Sequence, residues 1–292
     1  MIRHYVGMVC LTAAAALLAG CGTSARAAAA SAPTDQQRSQ WALPLDSYMD
    51  SPVDIVIGDY AENLLVKQCM AKNGVDWPIP TMDVTSLHSS TTSPSGRTLL
   101  TEQIAGRFGY HHEAIYPADV AAQLRTLSAR ILSAAEQSTL DGCVSTARDT
   151  LPRPNTTQLA TVLANQALTD ATLSPVVTHA AEVWRNCMAP QGISDLPAAP
   201  DGTNAGMPTP SQSAAFHLQD PTSGASTGEI AAATADARCR VSSGYSDALY
   251  AAEWAAQSTA LAKNADALVR ERDALEVHRK AAHRVITEQG AK

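Results

Sequence analysis

Two segments that share the pattern C-M-x-x-x-G are the first residues in the chain that suggest chemistry. They are CMAKNG at 69–74 and CMAPQG at 187–192. A cysteine in such a pattern is a candidate metal ligand, thiolate nucleophile, redox switch or half of a disulfide. No C-x-x-C pair and no histidine at ligand spacing accompanies either segment, which favours the disulfide. We therefore predict no metal site and no cofactor site.

The six cysteines of the chain divide into an N-terminal pair and a later set of four. Cys10 lies in the N-terminal apolar run and Cys21 directly follows that run. In an exported protein the even number that remains indicates two disulfides, with three possible pairings. Because each C-M-x-x-x-G segment is followed by another helical cysteine, our first choice is Cys69 with Cys143 and Cys187 with Cys239. Each bond would contribute roughly 4 kcal/mol through chain entropy.

The run His111-His112-Glu113 is the other short stretch with catalytic residue types. Adjacent histidines point in different directions on a helix, and in a loop they are commonly polar surface. His278 and His283 stand five apart on the last helix, share no face, and are predicted to be solvated. No H-E-x-x-H motif and no phosphate-binding glycine loop is present. We predict no catalytic residue from motifs, and a Ser-His-Asp set assembled from distant positions stays open.

The N-terminus has the layout of a secretory signal. It reads MIRHYVGMVCLTAAAALLAGC, a charged start followed by an apolar run and small residues. The run is shorter than the roughly 20 apolar residues that a transmembrane helix needs. Its end, Leu18-Ala19-Gly20-Cys21, resembles the bacterial lipobox, whose cysteine thiol accepts a diacylglyceryl group. We predict a signal peptide at 1–20 and a lipidated Cys21 that anchors the protein to the cell membrane on its extracytoplasmic face.

The remaining chain is predicted to consist of a tether and two helical units. Residues 21–50 are rich in Ala, Ser, Thr, Gln and Pro and show little periodicity, which is typical of a flexible tether. An N-terminal unit at 51–154 and a C-terminal unit at 155–292 would meet near LPRPNTTQ, residues 151–158. Alternating strand patterns are missing from both units, so the predicted class is an all-α, disulfide-braced helical bundle.

Apolar residues at helical spacing surround each of the four cysteines. The pattern predicts a helix from Ser51 through Cys69 that ends near Gly74. It also predicts a continuous helical stretch from Pro117 to about Leu151, and a helix that a Ser226 and Glu229 capping box would open. The stripe around the second motif consists of Val176, Ala180, Val183, Trp184 and Cys187, with Pro190 shortening or tightening the helix end.

A helix without proline or glycine is predicted from Ser246 to about Glu288. Five residues recur in it at intervals of seven: Trp254, Leu261, Leu268, Leu275 and Ala282. Arg272 and Arg279 interrupt the second position of the heptad, so packing on the chain's own bundle is favoured over an intermolecular coiled coil.

Composition limits the classes of function. The net charge is −7 and the aromatic fraction is 4%. Without a basic cluster outside the last helix, nucleic-acid binding is excluded as a function. The four tryptophans are scattered along the chain, which does not indicate a platform for stacking glycans.

Several motifs together resemble a group of uncharacterised secreted lipoproteins of actinobacteria. They are the lipobox, CMAKNGVDWP, RFGY at 107–110, SAAEQSTLDGCVSTARDTL, WRNCMAPQG and TADARCR, followed by a long Ala-rich helix. The resemblance covers most of the chain after residue 51 and implies export and disulfide use, but no activity. Pro190 departs mildly from the pattern.

We expect the protein to be a non-catalytic interaction or structural module of the cell envelope. It would be anchored in the lipid bilayer through diacylglyceryl-Cys21. The C-terminal helix would be the surface for an envelope protein partner. One alternative is an envelope hydrolase acting on cell-wall material, whose site would gather His111, His112 or Glu113 with other titratable residues. The other is a ligand-binding accessory protein of a transporter or sensor, with an enclosed apolar pocket.

Overall fold

The computed structural model describes residues 32–153, 158–201, 206–220 and 223–290. The predicted signal peptide, the predicted lipidation site Cys21, the predicted tether up to residue 31 and the predicted boundary between 154 and 155 lie outside the described residues. Within the described ranges, no helix has both the length and the apolar character to cross a membrane.

The described residues form an all-α structure, as the sequence predicts. Its helices are α1 (Asp35–Ser39), α2 (Pro52–Lys72), α3 (Glu102–Phe108), α4 (Ala118–Ser128), α5 (Ala134–Thr150), α6 (Leu159–Thr172), α7 (Pro175–Met188), α8 (Pro210–Ala215), α9 (Thr227–Ser242) and α10 (Tyr245–Glu288). Three short 3₁₀ turns lie at Asp46–Tyr48, Val84–Ser86 and Ala189–Gln191. An isolated bridge joins Thr92 to Thr98.

Helix α10 is the central helix of the bundle. It has 44 residues, which corresponds to a length of about 66 Å. It packs against α2, α6, α7 and α9, so the prediction that it lies on its own bundle is confirmed. Of the predicted heptad residues, Leu268, Leu275 and Ala282 are buried. Asn264 leaves helical geometry (φ −123°, ψ 17°), which divides the helix into two straight segments.

The first disulfide joins α2 to α5. Ser51 caps α2 in a capping box with Asp54, and Gly74 (φ +74°) ends it in the left-handed conformation, as predicted. Half-buried Cys69 in the last turns of α2 is bonded to buried Cys143, with the two Cα atoms 5.5 Å apart. The predicted first pairing is therefore present.

The second disulfide joins α7 to α9. Cys187 is bonded to Cys239, with 5.7 Å between the Cα atoms, which is the predicted second pairing. Helix α7 tightens into the 3₁₀ turn that contains Pro190, also as predicted. The predicted stripe is wrong in part, because Val176 and Val183 are exposed, as is Cys187. The buried face lies partly one residue further along, at Val177, Ala181, Trp184 and Met188.

The predicted helix from Pro117 to Leu151 is two helices. Helix α4 ends at Ser128, and Ser133 starts α5 with a capping box to Glu136. Ile131, predicted to be in the stripe, is 95% exposed in the connection. The S-A-A-E segment is a capping-box signal in the sequence, and it outweighs the apolar spacing.

Part of the predicted tether is folded. Between Thr34 and Asp50 the chain lies on the bundle, with Leu43, Leu45 and Met49 buried. The Leu45 N–H donates to Gln257 Oε1 (3.0 Å) and the Tyr250 hydroxyl donates to the Ala42 carbonyl (2.8 Å), which fixes the segment to α10. The prediction failed here because an irregular segment buries apolar residues without helical or strand periodicity.

Candidate functional site

An open cleft of about 1120 Å³ lies near the start of α10. Its walls are residues 38–41 after the N-terminal tether, the start of α2, the segment from 89 to 108, and residues 246–250. A second cavity of about 520 Å³ lies beside it, and both are lined by Arg97 and Asp201. The cleft thus lies where the N-terminal segment crosses the bundle.

An ion pair between Arg97 and Glu253, in contact with the ring of Trp41, forms the floor between the two cavities. Arg97 Nη2 lies 2.8 Å from both carboxylate oxygens of Glu253, which is 2% exposed. Trp41 Nε1 donates to Glu253 Oε2 (3.2 Å), and the Arg97 guanidinium lies 5.0 Å from the Trp41 ring centroid. These contacts hold Trp41 at φ +49°, a conformation that bulky residues rarely adopt.

Two carboxyl groups beneath the cleft have raised pKa values. Burial raises the pKa of Asp46 to about 6, although the Leu43 N–H donates to it and opposes the shift. Burial also raises the pKa of Glu253, against the lowering effect of Arg97 and the Trp41 hydrogen bond. The site therefore holds two acids close to one cation, with a charge state that depends on pH.

The walls of the cleft present cations and many uncharged polar groups. Arg38 lies 5.0 Å from the Tyr250 ring centroid and 3.6 Å from Asp247. Arg107 is 72% exposed, and its closest acid, Glu113, is 3.9 Å away. Uncharged polar side chains also line the cleft, among them Ser39, Gln40, Ser89, Thr98, Thr101 and Gln103, and they alternate with apolar ones such as Val53, Leu100 and Ile104.

A fully buried carboxylate, Asp236, supports the back of the cleft. Arg240, which also lines the cleft, donates to both Asp236 oxygens (3.0 and 3.2 Å) and to Asp201 (2.7 Å). Trp184 Nε1 donates to Asp236 at 2.8 Å. Burial would lower the pKa of Arg240, but the carboxylates of Asp201 and Asp236 outweigh it and raise that pKa. Arg240 is therefore a fixed cation.

The run His111-His112-Glu113 does not form one site. His111 contacts a buried carboxylate and a hydroxyl: its Nδ1 lies 2.8 Å from Glu229 Oε1 and its Nε2 lies 3.0 Å from Ser223 Oγ. His112 keeps part of its surface in solvent, and its partial burial, together with the neighbouring His111, lowers its pKa. Glu113 is bound by the Ser90 hydroxyl and N–H, of which the hydroxyl does most to lower its pKa.

The predicted capping box at the start of α9 is only half present. Ser226 Oγ accepts the Glu229 N–H (3.2 Å), but the Glu229 carboxyl does not return to the cap. It is fully buried instead and accepts the Tyr110 N–H (2.7 Å) as well as His111 Nδ1. The sequence analysis did not identify Ser223, which reaches His111 only through the tertiary fold.

The two histidines of the last helix differ from each other. His283 is exposed, whereas His278 is half-buried and places Nδ1 3.1 Å from the Pro152 carbonyl, so the prediction that both are solvated is wrong for His278. In the part of the chain that the structure describes, no three His, Cys, Asp or Glu side chains gather as a metal site.

Comparison with protein-family models, with curated proteins and with solved structures found no match in any of the three. Arguments about function therefore depend on the geometry of the cleft and of the Glu229 cluster.

The first prediction concerns Gly109, which packs against the Glu229 carboxyl. Gly109 has φ +61°, and a Cβ there would collide with that carboxyl. Gly109→Ala should lower the free energy of unfolding by about 2 to 4 kcal/mol, through backbone strain and overpacking. The matched control is Gly106→Ala in α3, where a Cβ meets no atom within 4 Å. Chemical denaturation should show equal or higher stability for this control, and equal losses in both variants would refute the packing argument.

The second prediction follows from the raised pKa of Asp46, about 6 in the fold against 3.8. An acid whose pKa is raised in the folded state stabilises the fold only while it stays protonated. This contribution to stability is therefore lost as the pH rises from about 4 through 6. Asp46→Asn should therefore stabilise the protein by roughly 2 kcal/mol more at pH 7.5 than at pH 4.5. Urea denaturation at both pH values measures this. The exposed control Asp266→Asn should show no such difference, and a flat profile for Asp46→Asn would contradict the assignment.

Proposed function

We propose that this protein is a membrane-anchored binding module of the cell envelope and that the cleft is its ligand site. The secretory layout of residues 1–20 and the LAGC sequence at Cys21 support export and anchoring. The cleft supports binding, because it is a large concave surface to which several separate segments of the chain contribute. This proposal joins the predicted envelope module to a defined location on the fold.

The chemistry of the walls favours a polar ligand. The volume of about 1120 Å³ is at the upper end for small-molecule sites, which suits a short oligomer better than a single metabolite. The cleft is open to solvent, which distinguishes it from the enclosed pocket expected of a small-ligand receptor. Arg38 and Arg107 are the exposed cations, so the ligand class is a polar oligomer that carries carboxylate or phosphate groups.

The carboxylates around this cleft are better suited to ligand recognition than to catalysis. Glu253 is bound to Arg97, and Asp201 is bound to Arg240. A general base needs a free lone pair directed at the substrate, whereas these groups are engaged by guanidinium groups. Their role in the proposal is to hold the arginines and Trp41 in fixed positions.

Anchoring would keep the cleft close to the bilayer. The first helix is capped by Thr34, 13 residues after Cys21, so the acylated cysteine and the fold can be at most about 45 Å apart. The cleft wall begins at Arg38, directly after this point. The outward face of α10, which includes the exposed Val277, is retained as the proposed contact for an envelope protein.

The third prediction tests the ligand class with soluble fragments of cell wall, which are polar oligomers rich in carboxylates. The detergent-solubilised full chain should bind them, and a variant with Arg38→Glu and Arg107→Glu should bind at least tenfold more weakly, because both exposed cations are reversed. Titration calorimetry gives the affinities. Arg272→Glu on α10, outside the cleft, is the control and should bind as the unaltered protein does. Equal affinity in all three proteins would reject the cleft, and no binding at all would reject the ligand class.

The fourth prediction tests the anchor separately. In cells fed labelled palmitate, the unaltered protein should incorporate label, and Cys21→Ala should incorporate none and migrate as a larger, uncleaved precursor. The control Cys10→Ala changes the other N-terminal cysteine and should label normally. Label retained in Cys21→Ala would refute lipidation at this residue and leave the binding proposal standing.

A further inference from the structure

A serine, a histidine and a buried carboxylate are joined by a chain of hydrogen bonds at the start of α9. Ser223 Oγ is 3.0 Å from His111 Nε2, and His111 Nδ1 is 2.8 Å from Glu229 Oε1. We propose that these residues form a nucleophilic centre that hydrolyses carboxylic esters, with Ser223 as nucleophile, His111 as general base and Glu229 as the positioning residue. None of the three lines the binding cleft, so this activity is independent of the proposed binding function.

Burial of Glu229 assigns the tautomer of His111. An ionised carboxylate only accepts hydrogen bonds, so the histidine nitrogen that faces Glu229 must carry a proton. In the neutral imidazole the proton is then on Nδ1, which leaves Nε2 with a lone pair directed at Ser223 Oγ. This is the arrangement that a general base for a serine needs.

The carboxylate itself is held rigidly. Glu229 is fully buried, and its Oε1 accepts both the Tyr110 N–H (2.7 Å) and His111 Nδ1. Gly109 packs directly against it, at a position where any side chain would collide with the carboxyl. The second oxygen, Oε2, is buried and has no hydrogen-bond partner among the described groups. An ionised group at such a site stabilises positive charge on the neighbouring imidazole strongly.

Ser223 is placed at the surface beside a helix start. Its residue is half-exposed, and its oxygen also lies 2.9 Å from the Asp220 carbonyl and 3.1 Å from the His217 carbonyl. These carbonyls compete with His111 for the single hydroxyl proton and fix the position of the oxygen. The first-turn N–H groups of α9 follow a few residues later, and their partial positive charge favours an oxyanion.

The reaction balances with water as the only co-reactant. Ser223 Oγ bonds to the ester carbonyl carbon while its proton passes to His111 Nε2. The tetrahedral intermediate then expels the alcohol, which takes that proton, and leaves an acyl group on Ser223. Water attacks this acyl group and gives a proton to Nε2, which returns it to Ser223 as the carboxylic acid leaves.

The fifth prediction tests this centre on the full chain in detergent. A fluorophosphonate probe should label Ser223, as located by peptide mass spectrometry, and p-nitrophenyl butyrate should be hydrolysed. Ser223→Ala should abolish the label at this peptide, and His111→Gln should slow labelling at least a hundredfold. Ser211→Ala is the control, because Ser211 is bound to Asp195 without a histidine and should not affect labelling.

The variant Glu229→Gln tests whether Glu229 positions His111 for the reaction or only stabilises the fold. It keeps an acceptor for the Tyr110 N–H, and the labelling rate should still fall at least tenfold, with its pH midpoint moved downward because the imidazolium loses its carboxylate. Circular dichroism and thermal unfolding identify variants that fail to fold. Label and turnover that persist in folded Ser223→Ala would overturn the proposal. It would also be overturned by an unaltered protein that is neither labelled nor active, because the cluster would then be a structural contact.

Discussion

The buried carboxylate of Asp236 is the interaction on which the C-terminal half of the bundle depends. It is fully buried, and it is compensated by Arg240 on its own helix and by the indole N–H of Trp184 on α7. The Tyr110 hydroxyl approaches it at 3.4 Å from a third segment. Removing one partner of such a group typically costs 3 to 5 kcal/mol, roughly a third or more of the stability of an ordinary domain. This charge and the Cys187–Cys239 bond together set the orientation of α7 on α9.

Helix α9 carries a second buried carboxylate, Glu229, two turns before Asp236. Both accept hydrogen bonds from the segment that follows α3: Glu229 from the Tyr110 backbone and His111, and Asp236 from the Tyr110 side chain. This arrangement gives a physical reason for three motifs of the sequence, RFGY, WRNC and TADARC, to occur together. The segment 107–110 shapes its backbone around Glu229, and the other two supply the Asp236 cluster and the Cys187 to Cys239 bond. The same contacts fix His111 beside Ser223.

Local signals predicted the parts of the fold that local interactions determine. Ser51 with Asp54, Gly74 and Gly192 define helix ends whatever the rest of the chain does, and the cysteines on those helices were paired correctly. The face of α7 was misassigned in part: Trp184 is buried against Asp236 as its place in the stripe predicts, but Val177 and Ala181 are buried where Val176 and Val183 were expected. The segment from Thr34 to Asp50 was misassigned because its apolar residues are buried against α10 without any period. The cleft and the Ser223 cluster each join segments over a hundred residues apart, and no local pattern encodes such distances.

The folded N-terminal segment also connects anchoring to recognition. Trp41 is hydrogen-bonded to Glu253, Leu45 to Gln257 and Ala42 to Tyr250, so this segment is fixed along two turns of α10. A force applied at residue 34 is therefore transmitted to α10, because the intervening segment is not flexible. The cleft wall at 38–41 keeps its shape as a result. Burying two acids beneath Arg97 has a cost in stability at neutral pH, since their pKa values are raised. That cost is understandable if the arginine and Trp41 must stay in place, because an apolar floor would be more stable but would present no fixed cation to a ligand.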